Sequence, residues 1–437
     1  MRTYLSLVLG VCGIAHAQLT PVPPSPTGTP SHPFFITKTW IVGGVGDWDY
    51  MTMDPQAHQL LIAHGPTVQV IDVESGSVAG VVRGLREAHD IVLDEGGTYG
   101  YVSDGPADVV RVFDRRNFQV VASIPTGPSP RSMALDPTSG LLFVVGSQAT
   151  ATGSATANSA RKAQTPQTRS PRESNSRTTA RGGAESTITV IDLERRSQLA
   201  QILLPGSLGF AEADGRGRVY ITVSDRDQIL RLDAEAIGTA VRRAIDTLPA
   251  PKAAKTSTAQ SGPGRLSEKP PVLDWTADAK ANVPSDAYPM PIRLDSSCDH
   301  PRGLAIDTAH ERLFATCGNF RMVVLNAANG QVISALPIGP GADAIGYDPD
   351  RGLIFTANGG SDGSLTIIRQ DVTDTYSVIQ TLPTRQNART LAVDPANGEV
   401  FLTTVLYGAE LNRPPINGAP LKIDAVDSSF QVLVVGN

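Results

Sequence analysis

The sequence predicts an all-β protein: a seven-bladed β-propeller closed by an N-terminal strand and carrying two long loop insertions. A unit of about 40 residues recurs along the chain, and each unit holds short apolar runs separated by Asp, Pro and Gly. The last unit is one strand short. The chain has 437 residues, of which 41% are hydrophobic and 18% charged, which is typical of a globular protein.

Each unit is marked by an aspartate that follows its first apolar run. Successive marks are 40, 42, 41 and 46 residues apart where nothing intervenes, and two gaps of 78 and 93 residues hold insertions. Four short strands in a unit of this length are typical of a propeller blade, so seven marks predict seven blades. The marks are Asp54, Asp94, Asp136, Asp214, Asp307, Asp348 and Asp394.

The first 17 residues have the pattern of a secretory signal peptide. Arg2 precedes the apolar run 4–14, and Ala-His-Ala at 15–17 resembles a cleavage site. Residues 18–33 are rich in Pro and Thr and are expected to form a flexible leader before a propeller over 34–437. The expected location is periplasmic or secreted. No later apolar run reaches the 18 or so residues that a membrane helix needs.

The two ends of the propeller predict how the ring closes. The chain ends in "FQVLVVGN", one strand short of a full blade, and "FFITKTWIVGG" at 34–44 reads as a strand without a blade. Pairing these segments would complete the last blade and remove a free sheet edge.

Two insertions interrupt the repeat. Residues 148–186 fall between the second and third strands of the third blade and carry six Lys or Arg against two Glu, so disorder is expected. Residues 237–291 fall between the third and fourth strands of the fourth blade, beside a short helical pattern at 234–245. Both are expected to be surface loops.

The runs "GYVSDGPADVVRVFD" and "LIFTANGGSDGSLTII" resemble YVTN-type repeats. With "HDIVL", "CDHPRGLAID", "GADAIGYDP" and "ARTLAVDP", they make the chain similar to secreted YncE-like seven-bladed propellers. The resemblance covers all blades and implies the fold. It does not imply an activity, because propellers carry out unrelated functions.

Two cysteines remain after the signal peptide, Cys298 and Cys317. One precedes the innermost strand of a blade and the other follows its antiparallel partner, so both lie at the same end of one hairpin. An oxidising compartment then favours a disulfide over a zinc site or a catalytic thiol.

The innermost strands of a propeller all begin at one end of the central channel. Polar residues at these positions would converge on one mouth although they are far apart in sequence, and a polar or anionic ligand is the natural occupant of such a ring. Mutual ion pairing is the structural alternative. The candidate residues, called the predicted mouth below, are Asp49, His89, Asp90, Arg131, Arg302, Asp343 and Arg389, with His64 and Asn358 as secondary candidates.

No catalytic motif stands out, so the sequence favours a monomeric binding or scaffold module with a small ligand or a protein partner at the mouth. The alternative is a periplasmic enzyme there, such as a lactonase-like hydrolase. No cofactor is expected, although Asp49, Asp90, Asp343 and Asn358 leave a divalent cation open. The net charge of −6 disfavours nucleic acid, for which only the basic insertion offers a site.

Overall fold

The computed structural model describes residues 32–44, 46–147, 184–246, 270–275, 287–360, 363–372, 374–409, 423–426 and 428–437. The expected signal peptide 1–17, the leader as far as residue 31 and the first insertion as far as residue 183 lie outside the described residues.

Seven antiparallel blades form a ring, which confirms the predicted fold class. The first strand and blades 1 to 3 comprise β1 Phe35–Ile41; β2 Trp48–Asp54, β3 Gln59–His64, β4 Thr67–Asp72 and β5 Val78–Val82; β6 Ala88–Leu93, β7 Tyr99–Asp104, β8 Val109–Asp114 and β9 Val120–Pro125; and β10 Pro130–Asp136, β11 Leu141–Ser147, β12 Glu185–Asp192 and β13 Ser197–Pro205. β12 begins within the last two residues of the expected insertion 148–186.

Blades 4 to 7 complete the ring and carry the further elements. They comprise β14 Leu208–Ala213, β15 Arg218–Val223, β16 Gln228–Asp233, α1 Ala234–Asp246, β17 Val272–Asp274 and β18 Met290–Arg293; β19 Pro301–Asp307, β20 Arg312–Cys317, β21 Arg321–Asn326 and β22 Val332–Pro337; β23 Ala342–Asp348, β24 Leu353–Asn358, β25 Ser364–Val372 and β26 Thr375–Pro383; and β27 Leu391–Val393, β28 Val400–Thr404, β29 Tyr407–Ala409, β30 Ile423–Ala425 and β31 Gln431–Gly436. Two 3₁₀ turns, Gly105–Ala107 and Ser224–Arg226, follow β7 and β15.

The N-terminal strand closes the ring as the sequence predicts. β1 pairs antiparallel with β31 and is the outermost strand of blade 7, whose order from the channel outward is β27, β28, β31, β1. Trp40 of β1 stacks on Phe401 of β28 with ring centroids 5.6 Å apart. The first and last strands of the propeller therefore share one sheet, and the apolar stack holds them together.

The cores lie between neighbouring blades. A blade is covered on both faces, so its middle strands read as continuous apolar runs, and β24 and β31 are buried along their whole length. Each marking aspartate is the last residue of an innermost strand or directly follows it. These aspartates cap the turns: Asp136 accepts from the Ser139 amide at 2.8 Å and Asp348 from the Arg351 amide at 3.1 Å.

The innermost strands are β2, β6, β10, β14, β19, β23 and β27, and they line the central channel. We call the face where these strands begin the start face and the face of the marking aspartates the turn face. Blades 1 to 6 each have a register shift near the beginning of the innermost strand. Such bulges free backbone amides near the start face.

The second insertion is more than a surface loop, which corrects that expectation. α1 begins three residues before the expected insertion at 237 and buries Ile237 and Val241 against blades 3 and 4. β17 pairs in parallel with β13 as a fifth strand of blade 3. Trp275, which follows β17, is 2% exposed and contributes to the same core. The insertion thus supplies apolar residues that cover the outer side of blade 3.

Cys298 and Cys317 form a disulfide with their Cα atoms 5.2 Å apart, which confirms the pairing. Among the described residues, no helix has the length and apolar character to span a membrane.

Candidate functional site

The predicted mouth lies on the start face, where most of its charged side chains are paired with one another. Asp49 faces His89 Nδ1 at 2.9 Å and Arg131 at 4.0 Å. Asp343 pairs with Arg302 at 2.6 Å. Two groups of ion pairs thus stand at this mouth, one around each aspartate.

Asp343 also faces the Nε atom of Arg389 at 3.4 Å. Arg389 in turn donates to the backbone oxygen of Trp48 at 3.3 Å. Blades 5, 6, 7 and 1 are therefore joined in sequence through Arg302, Asp343 and Arg389, and Asp49 extends the chain of contacts to blades 2 and 3. We call this set of contacts the start-face ring.

Asp90 does not join the start-face ring. Its side chain is buried and accepts from the amides of Ile91 at 2.8 Å and Met133 at 2.7 Å. Met133 lies at the bulge of blade 3, so Asp90 satisfies an amide that the bulge frees. Burial first, and then the charge of Asp49, raise the pKa of Asp90 to about 7 against the lowering effect of those amides.

Both secondary candidates are engaged inside the protein. The ring nitrogens of His64 lie 2.9 Å from Gln69 Oε1 and 3.1 Å from the Gly46 oxygen. Asn358 contacts three hydroxyl groups of its own blade within 3.1 Å and is 1% exposed. Their polar groups position loops and strands of blades 1 and 6.

The large cavity of the described structure is the central channel itself, with a volume of about 690 Å³. Its lining reaches the turn face through Asp54, Asp94, Glu95 and Arg115. Toward the start face it includes Tyr50 and stops short of the start-face ring. The cavity therefore extends from the turn face to Tyr50 and does not include the charged residues of the predicted mouth.

Two aromatic rings form the floor of this pocket. Tyr50 of blade 1 and Phe210 of blade 4 meet with centroids 5.1 Å apart and planes at 65°. These blades are three places apart in the seven-membered ring, so the contact spans the channel. Edge-to-face packing of this kind is favourable, and here the two rings lie between the cavity and the start-face ring.

The register of the repeat explains the cavity above the floor. The residue two positions before each marking aspartate lines the channel in every blade, and six of the seven are small or uncharged. The exception is Glu212 of blade 4. The seven residues, called the lumen layer below, are Thr52, Val92, Ala134, Glu212, Ala305, Gly346 and Ala392.

Glu212 is the residue that the sequence analysis did not single out. Aligning the repeats on their marking aspartates would have revealed it as the one charged residue of its layer. Among the described residues, no hydrogen bond or ion pair reaches its carboxyl group. Loss of water contact inside the channel and the charge of Asp90 raise its pKa to about 8.

Tyr50 shares this electrostatic setting. Burial first, and then the nearby Asp49, Asp90 and Asp343, raise its pKa well above the usual value. The hydroxyl therefore stays protonated throughout the physiological range. The floor of the channel thus offers a neutral phenol and, one layer above it, a carboxyl group that is largely protonated at neutral pH.

The part of the chain that the structure describes contains no cluster of three or more metal-ligating side chains.

No protein-family model and no curated protein matches the sequence. Among solved structures, the chain is similar to one in a crystal structure of a mitotic checkpoint complex, with a TM-score of 0.57 over 98% of each chain. The two sequences are 11% identical. This likeness supports the propeller fold and nothing finer.

Proposed function

We propose that the protein is an exported binding module that holds a compact small molecule in its central channel, reached from the turn face. The observation that carries this proposal is the channel cavity of about 690 Å³, which is within the size range of small-molecule sites. More of its wall is apolar than polar. Tyr50 and Asp90 lie near the floor, Glu212 one layer above them, and Asp54, Asp94, Glu95 and Arg115 at the opening. The disulfide is consistent with the export that the N-terminal sequence pattern predicts.

Membership of the YncE-like family belongs to the same proposal. It is supported by the YVTN-type runs in several blades and by the closed seven-bladed ring. β-Propellers of other families also serve as protein-interaction scaffolds, and the similar solved chain comes from a structure of a complex. The channel argues for a small ligand here, because it is a deep site and not a flat surface.

Filling the cavity tests the proposal. Ala213→Phe and Val393→Phe each add a ring to a residue that lines the channel. Compact apolar probes, among them 1-adamantanemethanol and 1-adamantanemethylamine, are titrated while the melting temperature is recorded. Saturable stabilisation of the wild type is expected, because ligands that bind the folded state raise its stability. It should be lost in both filled variants and kept in Val121→Phe, which alters an exposed residue of an outer strand. Absence of binding by every probe, or binding that persists in both filled variants, would contradict the proposal.

The predicted mouth is the second candidate, for an anionic ligand. The observation in its favour is charge: three guanidinium groups face two carboxylates in the start-face ring, and the Arg131 side chain is 57% exposed. Citrate and inorganic phosphate are suitable probes. Their binding should be lost on Arg131→Ala if this site is used and unaffected by Ala213→Phe.

A further inference from the structure

Glu212 stands alone in the lumen layer. Thr52, Val92, Ala134, Ala305, Gly346 and Ala392 have no charge and little bulk, so the open volume at this level faces one carboxyl group. The side chain is partly buried in this wall, and its carboxyl group has no hydrogen-bond or ion-pair partner among the described residues, so it can pair with a ligand group that reaches this level of the channel.

The other charged groups around the channel favour a positive ligand. The charge of Asp90 acts on the Glu212 carboxyl group and raises its pKa, and Tyr50 adds no positive charge. The opening carries Asp54, Asp94 and Glu95 against Arg115, which already pairs with the first two. A negative rim concentrates cations at the opening and speeds their association.

The shape of the site distinguishes between cations. A bare divalent ion takes six or more oxygen ligands, whereas the lumen layer offers one carboxyl group among alkyl and backbone groups. An organic cation needs a single carboxylate and can place its apolar body against the alkyl wall. Accordingly, and resting on the proposed function, we propose that the channel binds an organic cation, a protonated amine on a compact apolar body, and that Glu212 pairs with the ammonium group.

Proton release follows from this pairing. Glu212 is largely protonated at pH 7, since its pKa is raised to about 8. An ammonium group stabilises the carboxylate, so binding expels the proton, and affinity should rise as the pH goes from about 6 to 8. Asp90, with a pKa raised to about 7, contributes to the same pH dependence, while Tyr50 stays protonated.

Two probes of equal shape test the proposal. 1-Adamantanemethylamine carries the ammonium group, and 1-adamantanemethanol replaces it with a hydroxyl. Both are titrated calorimetrically into the wild type, Glu212→Gln and Glu235→Gln. The last variant makes the same chemical change at an exposed position of α1. Repeating the titration in two buffers of different ionisation enthalpy counts the protons released.

The amine should bind the wild type and Glu235→Gln about tenfold more tightly than the alcohol, because a charge-assisted pair is stronger than a neutral hydrogen bond. Glu212→Gln should remove this preference and most of the proton release while still binding the alcohol. Equal affinity for both probes in the wild type, or an amine preference that survives Glu212→Gln, would overturn the inference and leave the channel as a binding site. If both probes bound Ala213→Phe and Val393→Phe as tightly as the wild type, the proposed function would be overturned instead.

Discussion

At the scale of single residues, Glu212 and Asp90 couple stability to pH even without a ligand. Both have a folded-state pKa above the ordinary value, about 8 and about 7, mainly because burial disfavours the charged form. The folded protein therefore holds these protons more tightly than the unfolded chain. Their contribution to stability is present below their unfolded pKa values near 4 and is lost as the pH rises through 7 and 8.

We expect the free energy of unfolding of the wild type, measured with urea, to fall between about pH 5.5 and 8.5. Glu212→Gln should show a smaller fall, because one of the two groups no longer titrates. The carboxylates with lowered pKa values, such as Asp72 and Asp114, stabilise the protein above about pH 4 and do not contribute in this interval. Parallel curves for the two proteins would show that Glu212 is not held in its protonated form.

The disulfide offers a second prediction at this scale. Cys298 and Cys317 are 19 residues apart in sequence, and both are buried. Replacing both with Ala should lower the free energy of unfolding by about 3 kcal/mol, since the unfolded chain is no longer cross-linked. The wild type after reduction serves as the control. Free thiols in the native protein, detected by alkylation and intact mass, would contradict the pairing.

At the scale of elements, buried hydroxyl groups join neighbouring innermost strands at the bulges. Ser103 accepts from the Asp90 amide at 3.0 Å and donates to the Arg131 oxygen at 2.6 Å. Thr222 makes the same link between the Phe210 amide, at 2.9 Å, and the Arg302 oxygen, at 3.2 Å. Each hydroxyl thus satisfies a freed amide of its own blade and a carbonyl of the next blade.

Thr222→Val keeps the shape of this side chain and removes its hydrogen bonds. It should destabilise the protein by about 1–3 kcal/mol, because the Phe210 amide and the Arg302 carbonyl are left without a partner. Thr39→Val, the same change at an exposed position of β1, should leave the urea midpoint almost unchanged. If both variants unfolded alike, the hydroxyl bridge would be unimportant for stability.

The closing strand β1 holds its place through Trp40. Trp40→Ala removes the stack on Phe401 and should cost about 3–5 kcal/mol, as for other large-to-small core substitutions. Ile41→Ala on the same strand alters a side chain that is 79% exposed and should be nearly neutral. Hydrogen exchange of the β1 and β31 amides measures the effect directly. Unchanged protection in Trp40→Ala would mean that backbone pairing alone closes the ring.

At the scale of the whole molecule, the repeat carried most of the predictive information. Marking aspartates such as Asp54 and Asp348 recur because every blade needs the same capped turn, so the blade number and the closing strand could be predicted. The shape of the channel could not be predicted, because it depends on how residues of different blades meet across the axis of the propeller. Tyr50 and Phe210 are ordinary aromatic residues in the sequence, and only the structure shows that they meet across the channel between the cavity and the predicted mouth.

The insertions mark another limit of the sequence. Residues 237–291 break the repeat and therefore predict a loop, yet Trp275 from this region is buried beside blade 3. A single short strand and one aromatic residue are too weak a pattern to recognise without the surface that they cover. Glu212 is the opposite case, because aligning the repeats on their marking aspartates identifies it from the sequence as the charged residue of its layer.

The start-face ring offers a prediction for the propeller as one body. A ring of blades can open only if one interface between blades separates, and Arg302, Asp343 and Arg389 join blades 5, 6 and 7 on the start face. Asp343 is shared by the two arginines, so Arg302→Ala with Arg389→Ala leaves it without its cationic partners. Partly exposed pairs of this kind stabilise modestly, and together they should contribute about 1–2 kcal/mol.

The double variant should therefore melt at a lower temperature and lose more of its stability at low salt than at high salt, because screening already weakens the wild-type pairs at high salt. Binding of 1-adamantanemethylamine in the channel should persist, since the floor formed by Tyr50 and Phe210 lies between the ring and the lumen layer. Thermal melts at two salt concentrations and calorimetric titration measure the two effects separately. An unchanged melting temperature together with loss of citrate or phosphate binding would move the functional site to the predicted mouth, because the arginines would then serve a ligand and not the closure of the ring.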